Sequence, residues 1–245
     1  MNSNLIIVAY PPGGFGSSLS NVLQGSPDCE RDFFPVTDST PHWHTQPWLF
    51  DVAHCNDGFI TESTDIVIPD IVLTSKKKLV AQFHNMDSVY LTKTFPGCKI
   101  IILNYTSDQL NYILHRWWKV IGIRIQHIQH NRLEQISSAY DVITFNQAFY
   151  QNNPVNTTGN NVLSVGFDQT VDNIQNIADF LNISLLQEHV DIYSSFIKKQ
   201  LTSFYNVDDN FLFAWKAIEI LGTDAPIITL ANQYSSTQEL LDNIC

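Results

Sequence analysis

The sequence predicts an α/β fold: a mostly parallel central sheet flanked by helices. Three observations predict it. Leu5, Ile6, Ile7, Val8 and Ala9 form an apolar run of strand length that is polar on neither side, which suits a strand buried on both faces of a parallel sheet. Lys99 to Leu103 (KIIIL) is a second core strand and follows the turn signal Pro96-Gly97. Helix-period segments separate the strands, and strands alternating with helices pack as a parallel sheet with helices on both faces.

Bulk composition narrows the function classes. The 245 residues are 44% hydrophobic, enough for one sizeable core, so residues 1–245 are expected to form a single α/β domain. Within it, residues 25–64 read as an irregular excursion and residues 185–245 as a helical C-terminal part. With 13 basic and 24 acidic side chains the formal charge is −11, a surface that repels nucleic acid and anionic membrane. An anionic ligand must then be held by a local site, with backbone amides contributing much of the binding. Cys29, Cys55, Cys98 and Cys245 are scattered, with no C-x-x-C, against a zinc ribbon or a redox pair and in keeping with a reducing compartment. With no signal-peptide pattern and no run of transmembrane length, the expected location is cytoplasmic.

The first strand runs into Pro11, Pro12, Gly13, Gly14 and Gly16, and residues from Ser17 to Leu23 read as the opening turns of a helix. Strand, glycine-rich turn and helix together point backbone N–H groups at an anion. The stretch meets neither the G-x-x-x-x-G-K-[ST] nor the G-x-G-x-x-G pattern, since no lysine precedes Ser17 or Ser18 and Gly14-Phe15-Gly16 is followed by Ser17, Ser18 and Leu19. A plain strand-to-helix turn stays open beside the oxyanion cradle. In it, glycine supplies a positive φ and Ser17 or Ser18 serves as N-cap.

Gly25 to Thr64 holds Pro27, Pro35, Pro41 and Pro47 with His42, Trp43, His44, Trp48, His54 and Cys55. Aromatic and imidazole groups in such a loop suit a substrate pocket or an ordered surface excursion. His42, His44, His54 and Cys55 are also metal-ligand types, but their spacing matches no standard site, so no metal is expected. Ile66 to Thr74 and Lys78 to Phe83 read as strands, the first divided by Pro69. Lys76-Lys77-Lys78 reads as a solvated turn. Gln109 to about Gln135 carries a three- or four-residue apolar repeat through Leu110, Ile113, Leu114, Trp117, Trp118, Ile121 and Ile125, which predicts one long helix. Further helices are expected over 139–150, 170–181, 185–201, 211–221 and 236–244, with a short strand at 162–165. Gly222 stands where a C′ glycine ends a helix.

Three segments, in this order, resemble the P-loop sulfotransferases, which depend on 3′-phosphoadenosine 5′-phosphosulfate (PAPS). Tyr10-Pro11 with Gly16-Ser17-Ser18-Leu19 resembles the family's opening loop Y-P-(K/R)-S-G-T-T-(W/L), with one extra residue. Val80 to Tyr105 resembles the strand ending in K-T-H, a short helix, and the strand leading into R-(N/D)-P. Gln82-Phe83-His84 falls on the first motif and Asn104-Tyr105-Thr106 on the second. Val162 to Leu185 resembles the late strand and helix that end I-A-x-F-L-G-I-x-L.

The resemblance implies a P-loop NTPase-like three-layer sandwich, with PAPS as donor, a hydroxyl on a small molecule or glycan as acceptor, and no metal. The expected catalytic residue is His84, as general base. The expected cofactor-binding residues are Gly13, Gly14, Phe15, Gly16, Ser17, Ser18, Leu19, Asn104 and Tyr112. Departures are visible: Pro12 or Gly13 stands where the family has a basic residue, Asn104 where it has the 3′-phosphate arginine, and Tyr112 where it has the partner serine. The alternative function is therefore a non-catalytic or re-purposed P-loop protein that binds a nucleotide or a protein partner. A nucleotide kinase is opposed by the missing lysine.

Overall fold

The computed structural model describes residues 4–11, 14–30, 75–83, 86–125, 131–152, 156–203 and 206–244, with side chains left aside at 120–125 and 146–152. Among the described residues, four strands form one sheet. They are β1 (Leu5–Ala9), β2 (Leu79–Phe83), β3 (Lys99–Asn104) and β4 (Val162–Gly166). The order is β2-β1-β3-β4, and every pairing is parallel. The α/β class with a parallel sheet flanked by helices is what the apolar runs predicted.

Burial of β1 explains its composition. All five of its side chains are at most 1% exposed. Successive strand side chains point to opposite faces, so both faces of the central strand are covered. β3 repeats this from Ile100 to Leu103. Ala9 is in register with Phe83 on one side and with Ile102 on the other. The C-terminal ends of β1, β2 and β3 therefore lie along one edge of the sheet.

The helices among the described residues are α1 (Gly16–Gln24), α2 (Ser88–Thr94), α3 (Ser107–Ile125), α4 (Arg132–Asn152), α5 (Ile174–Leu181), α6 (Gln187–Thr202), α7 (Asp209–Leu221), α8 (Ile227–Gln233) and α9 (Thr237–Ile244). A 3₁₀ turn, Phe167–Gln169, follows β4. Chain contacts divide the molecule into two compact units. The first comprises Met1–Tyr105 and Asn153–Thr202, and the second Thr106–Asn152 and Ser203–Cys245.

The first unit holds the sheet. Lys76 and Lys77 are exposed in the turn expected of them. Lys78 instead donates its ammonium to the Leu181 carbonyl, at the end of α5. A cation there offsets the negative end of the helix dipole. Asn182 takes the left-handed conformation just beyond, with φ 55°, which an asparagine accepts more readily than most residues.

The second unit is built on an apolar cluster including Leu114, Trp118, Ile136, Ala139, Phe211 and Phe213. One sequence expectation fails here. The single helix expected from Gln109 to Gln135 is two helices, α3 and α4. Asn131 sits at the start of the second, and its side-chain oxygen accepts the Glu134 N–H. An N-cap of that kind satisfies an otherwise unpaired donor and starts a helix afresh. The apolar period reads through such a start because facing positions recur on both sides of it. Gly222 ends α7 as expected, at φ 84° with its N–H on the Ile218 carbonyl. Helix α8 was not anticipated; seven residues give the helical period too few turns to register.

Candidate functional site

The site expected from the sequence is the turn between β1 and α1, and the structure builds it from three layers of contact. The first is the tyrosine that ends β1. Tyr10 donates its backbone N–H to the Phe83 carbonyl at 3.0 Å and its hydroxyl to Gln82 Oε1 at 2.5 Å. Ser17 hydrogen-bonds the same hydroxyl. Burial pushes the Tyr10 phenol well above its ordinary range, and the Ser17 bond opposes that rise only in part. The phenol is therefore a fixed neutral strut between β2 and the first turn of α1.

The second layer is steric. A Cβ on Gly16 would lie 1.9 Å from Cδ1 of Tyr10, and one on Gly14 would lie 2.8 Å from both the Pro11 oxygen and the Tyr105 hydroxyl. Neither glycine has a positive φ; the left-handed residue of the turn is Phe15, at φ 58° and ψ 9°. This corrects the plain-turn reading on two points. Gly14 and Gly16 are glycines because the turn leaves no room for a side chain, not because it needs their backbone freedom. The N-cap of α1 is Phe15, with no side-chain cap bond, rather than Ser17 or Ser18.

The third layer is aromatic. Phe15 is 3% exposed. Its ring stacks on Phe167 with centroids 5.4 Å apart and meets Phe196 edge-on at 5.7 Å. Tyr105, just past β3, stacks on Phe167 at 5.4 Å and donates its hydroxyl to the Gly14 carbonyl. Phe15 is thus held in a conformation that a bulky residue rarely adopts.

This geometry has a chemical consequence. A left-handed residue followed at once by right-handed helical ones turns successive backbone N–H groups toward one point, the nest arrangement that cups anions. Phe15 followed by Gly16 is such a pair, and the nest sits at the positive end of the α1 dipole. Two amides of the expected set are spent inside the turn: Gly14 N–H on the Pro11 carbonyl at 2.8 Å and Ser18 N–H on the Phe15 carbonyl at 3.0 Å. The nest is formed by the backbone of Phe15, Gly16 and Ser17. Ser18 adds a side chain: it is 2% exposed, and its Oγ has no hydrogen-bond partner among the described residues. Buried hydroxyls are otherwise nearly always bonded, so an unpaired one at the head of this helix fits an oxyanion acceptor.

The remaining expected residues are placed as follows. Leu19 is fully buried, so its side chain belongs to the core. Asn104 ends β3 in register with Gly166, and its amide donates to Ser164 Oγ; that donor is committed to β4. Tyr112 is buried in α3, within the second unit, where it raises the pKa of Arg116 against the burial that lowers it. His84 and Gly13 lie outside the described residues, as do His42, His44, His54 and Cys55. The residue before His84, Phe83, ends β2 beside Ala9, at the edge of the sheet that carries the turn. Among the described residues no three His, Cys, Asp or Glu side chains group as metal ligands. Phe167 and Phe196, which hold Phe15, gave no signal in the sequence; each is an ordinary apolar residue at its position.

No known protein family's sequence profile matches the chain, and no curated protein matches it. Among solved structures, a sulfotransferase from Alicyclobacillus acidocaldarius is similar at 12% identity, over 84% of this chain and 95% of that one, with a TM-score of 0.44. A likeness of that size bears on neither activity nor individual residues. No described helix is long and apolar enough to cross a membrane.

Proposed function

We propose that this chain transfers a sulfuryl group from PAPS to a hydroxyl acceptor, a small molecule or a glycan. The observation that carries the reading is the buried Ser18 hydroxyl in the first turn of α1, which has no hydrogen-bond partner among the described residues. A main-chain nest and a side-chain donor then stand in the same first turn of α1. Such fixed donors suit phosphate or sulfate oxygens, whose charge they stabilise without reorganising. PAPS, when bound, supplies the activated sulfuryl group. The Ser18 hydroxyl and the nest amides hold the 5′ side, the Ser17 hydroxyl being spent on Tyr10. His84 takes the proton of the acceptor hydroxyl, a role suited to an imidazole, whose unperturbed pKa lies near ~6.5. The acceptor oxygen forms a bond to sulfur as the bond from sulfur to the 5′-phosphate oxygen breaks, leaving 3′-phosphoadenosine 5′-phosphate.

A second reading has its own support. Asn104 stands where the resembling family has its 3′-phosphate arginine, and its amide is turned onto Ser164. A neutral amide already bonded gives a phosphate much less than a charge-assisted pair. That favours a P-loop protein which binds a nucleotide or a partner without catalysis.

One pair of experiments separates the two. Calorimetry with 3′-phosphoadenosine 5′-phosphate is expected to show binding that the Ser17→Ala/Ser18→Ala variant loses. No binding at millimolar ligand defeats the transferase reading. Catalysis is tested by His84→Ala, expected to abolish sulfuryl transfer while leaving the nucleotide affinity unchanged.

A further inference from the structure

We infer that Tyr10 is a positioning residue that withholds the Ser17 hydroxyl from the oxyanion, so that Ser18 is the serine of α1 that reads it. The inference rests on the oxyanion function proposed for the turn, and it follows from counting protons. A phenol has one O–H to donate, and a serine has one. The Tyr10 hydroxyl donates to Gln82 Oε1 at 2.5 Å, an oxygen that can only accept. Ser17 bonds that same phenol oxygen. With the phenol's proton on Gln82, the second bond runs the other way: Ser17 donates and Tyr10 accepts. Ser20 spends its proton too, on the Gly16 carbonyl at 2.9 Å. Of the three serines in α1, Ser18 is therefore the one that keeps a proton to offer.

The arrangement is fixed by packing as well as by bonds. The Tyr10 ring lies against Gly16, where even a Cβ would come within 1.9 Å of it. Burial pushes the phenol's pKa up, so Tyr10 keeps its proton at neutral pH and the count holds. The Ser17 oxygen is left with lone pairs, which repel an anion rather than bind it. Ser17 nonetheless belongs to the nest, so its hydroxyl stands within one side chain of any anion the nest cups. Freed from Tyr10, that hydroxyl becomes a further donor to the same anion. Tyr10 thus sets how many serine protons the cradle presents.

The test is a double-mutant cycle in the full chain, Ser17→Ala against Tyr10→Phe. It is read by calorimetry, with inorganic sulfate and 3′-phosphoadenosine 5′-phosphate as probes. In the wild type, Ser17→Ala is expected to raise either Kd by less than about threefold, because the proton it removes is already spent. Tyr10→Phe keeps the buried ring and removes the phenol oxygen. It is expected to lower the Kd for both probes by about three- to tenfold, the range of one net hydrogen bond, while the loss of two internal bonds lowers the thermal midpoint. Adding Ser17→Ala to Tyr10→Phe is expected to return the Kd to the wild-type value. A merely structural tyrosine would move affinity and stability down together, so the opposite signs mark the role inferred. Gln82→Met removes the acceptor of the phenol's proton and lets Tyr10 donate to Ser17 instead. It is expected to tighten binding likewise, and it serves where Tyr10→Phe fails to fold. A rise in Kd of about threefold or more from Ser17→Ala in the wild type overturns the inference and leaves the oxyanion site standing. So does a Kd that neither Tyr10→Phe nor Gln82→Met lowers. If the wild-type chain binds neither probe, or binds them undisturbed by Ser18→Ala, the oxyanion site itself is refuted and the inference falls with it.

Discussion

Ser18→Ala is expected to stabilise the ligand-free protein and to weaken its hold on an oxyanion. Most substitutions of a buried polar residue cost stability, so the sign is diagnostic. Ser18 is 2% exposed, and its Oγ is without a partner among the described residues. A buried hydroxyl left unbonded costs about 1–3 kcal/mol in lost hydration. Alanine removes that cost and is the better helix former by roughly 0.5 kcal/mol. The void left by one oxygen is smaller than a methyl group and subtracts little. The net expectation is a gain of about 1–3 kcal/mol. For a unit of this size each kcal/mol moves the thermal midpoint by ~2–4 °C.

The assay is urea unfolding followed by circular dichroism, with and without 3′-phosphoadenosine 5′-phosphate. A nucleotide is preferable to sulfate here because sulfate strengthens burial on its own account. Ligand at a hundred times its Kd stabilises the wild type by ~2.7 kcal/mol. The variant should gain less, so the order of stabilities narrows or inverts as ligand is added. A ligand-free variant less stable than wild type by 0.5 kcal/mol or more, on the order of the scatter of neutral surface changes, would show the hydroxyl already bonded and refute the reasoning.

Two further expectations follow from the same contacts. Gly16→Ala places a Cβ 1.9 Å from the ring of Tyr10, which is itself tied to Gln82 and Ser17. Overpacking and the broken bond outweigh the better helix propensity, for a net loss of about 2–4 kcal/mol by urea unfolding; a near-neutral variant contradicts the packing described. The second concerns His115 in the second unit, which accepts the Asp208 N–H on Nε2 at 3.2 Å and packs against Trp118 and Phe211. Burial, helped by Lys119 and opposed by Asp208, lowers its pKa from 6.5 to about 4. The unfolded chain therefore binds a proton below about 6.5 that the folded chain refuses until about 4. This contribution to stability is complete above pH 6.5 and lost as pH falls toward 4, at most ~3 kcal/mol in all. His115→Gln keeps an acceptor for Asp208 and should flatten the fall in thermal midpoint between pH 7 and pH 5; an unchanged slope contradicts the assignment.

The sheet was readable because burial on both faces demands an unbroken apolar run, and β1 and β3 carry such runs. The turn after β1 was readable as a place, since glycines and prolines cluster there. Its mechanism was not. A glycine in sequence announces either backbone freedom or lack of room, and only the Tyr10 ring against Gly16 and the Tyr105 hydroxyl against Gly14 show that it is room. The left-handed residue fell to Phe15, which local preference disfavours. Two aromatic partners from distant parts of the chain, Phe167 and Phe196, hold it there, and pattern reading has no access to them. The break between α3 and α4 was missed for the opposite reason: the apolar period continued, while the cap at Asn131 was a single polar residue inside it.

Local chemistry alone therefore determined that a parallel sheet forms around residues 5–9 and that a glycine-rich bend leads from it into a helix. Those features follow from neighbours along the chain, through period and backbone preference. The tertiary structure decided that Phe15 takes the left-handed place in the bend, that Ser18 is buried without a partner among the described residues, and that Asn104 turns to Ser164. Each of these depends on groups many residues apart in sequence, whose meeting is fixed by packing rather than by any local rule.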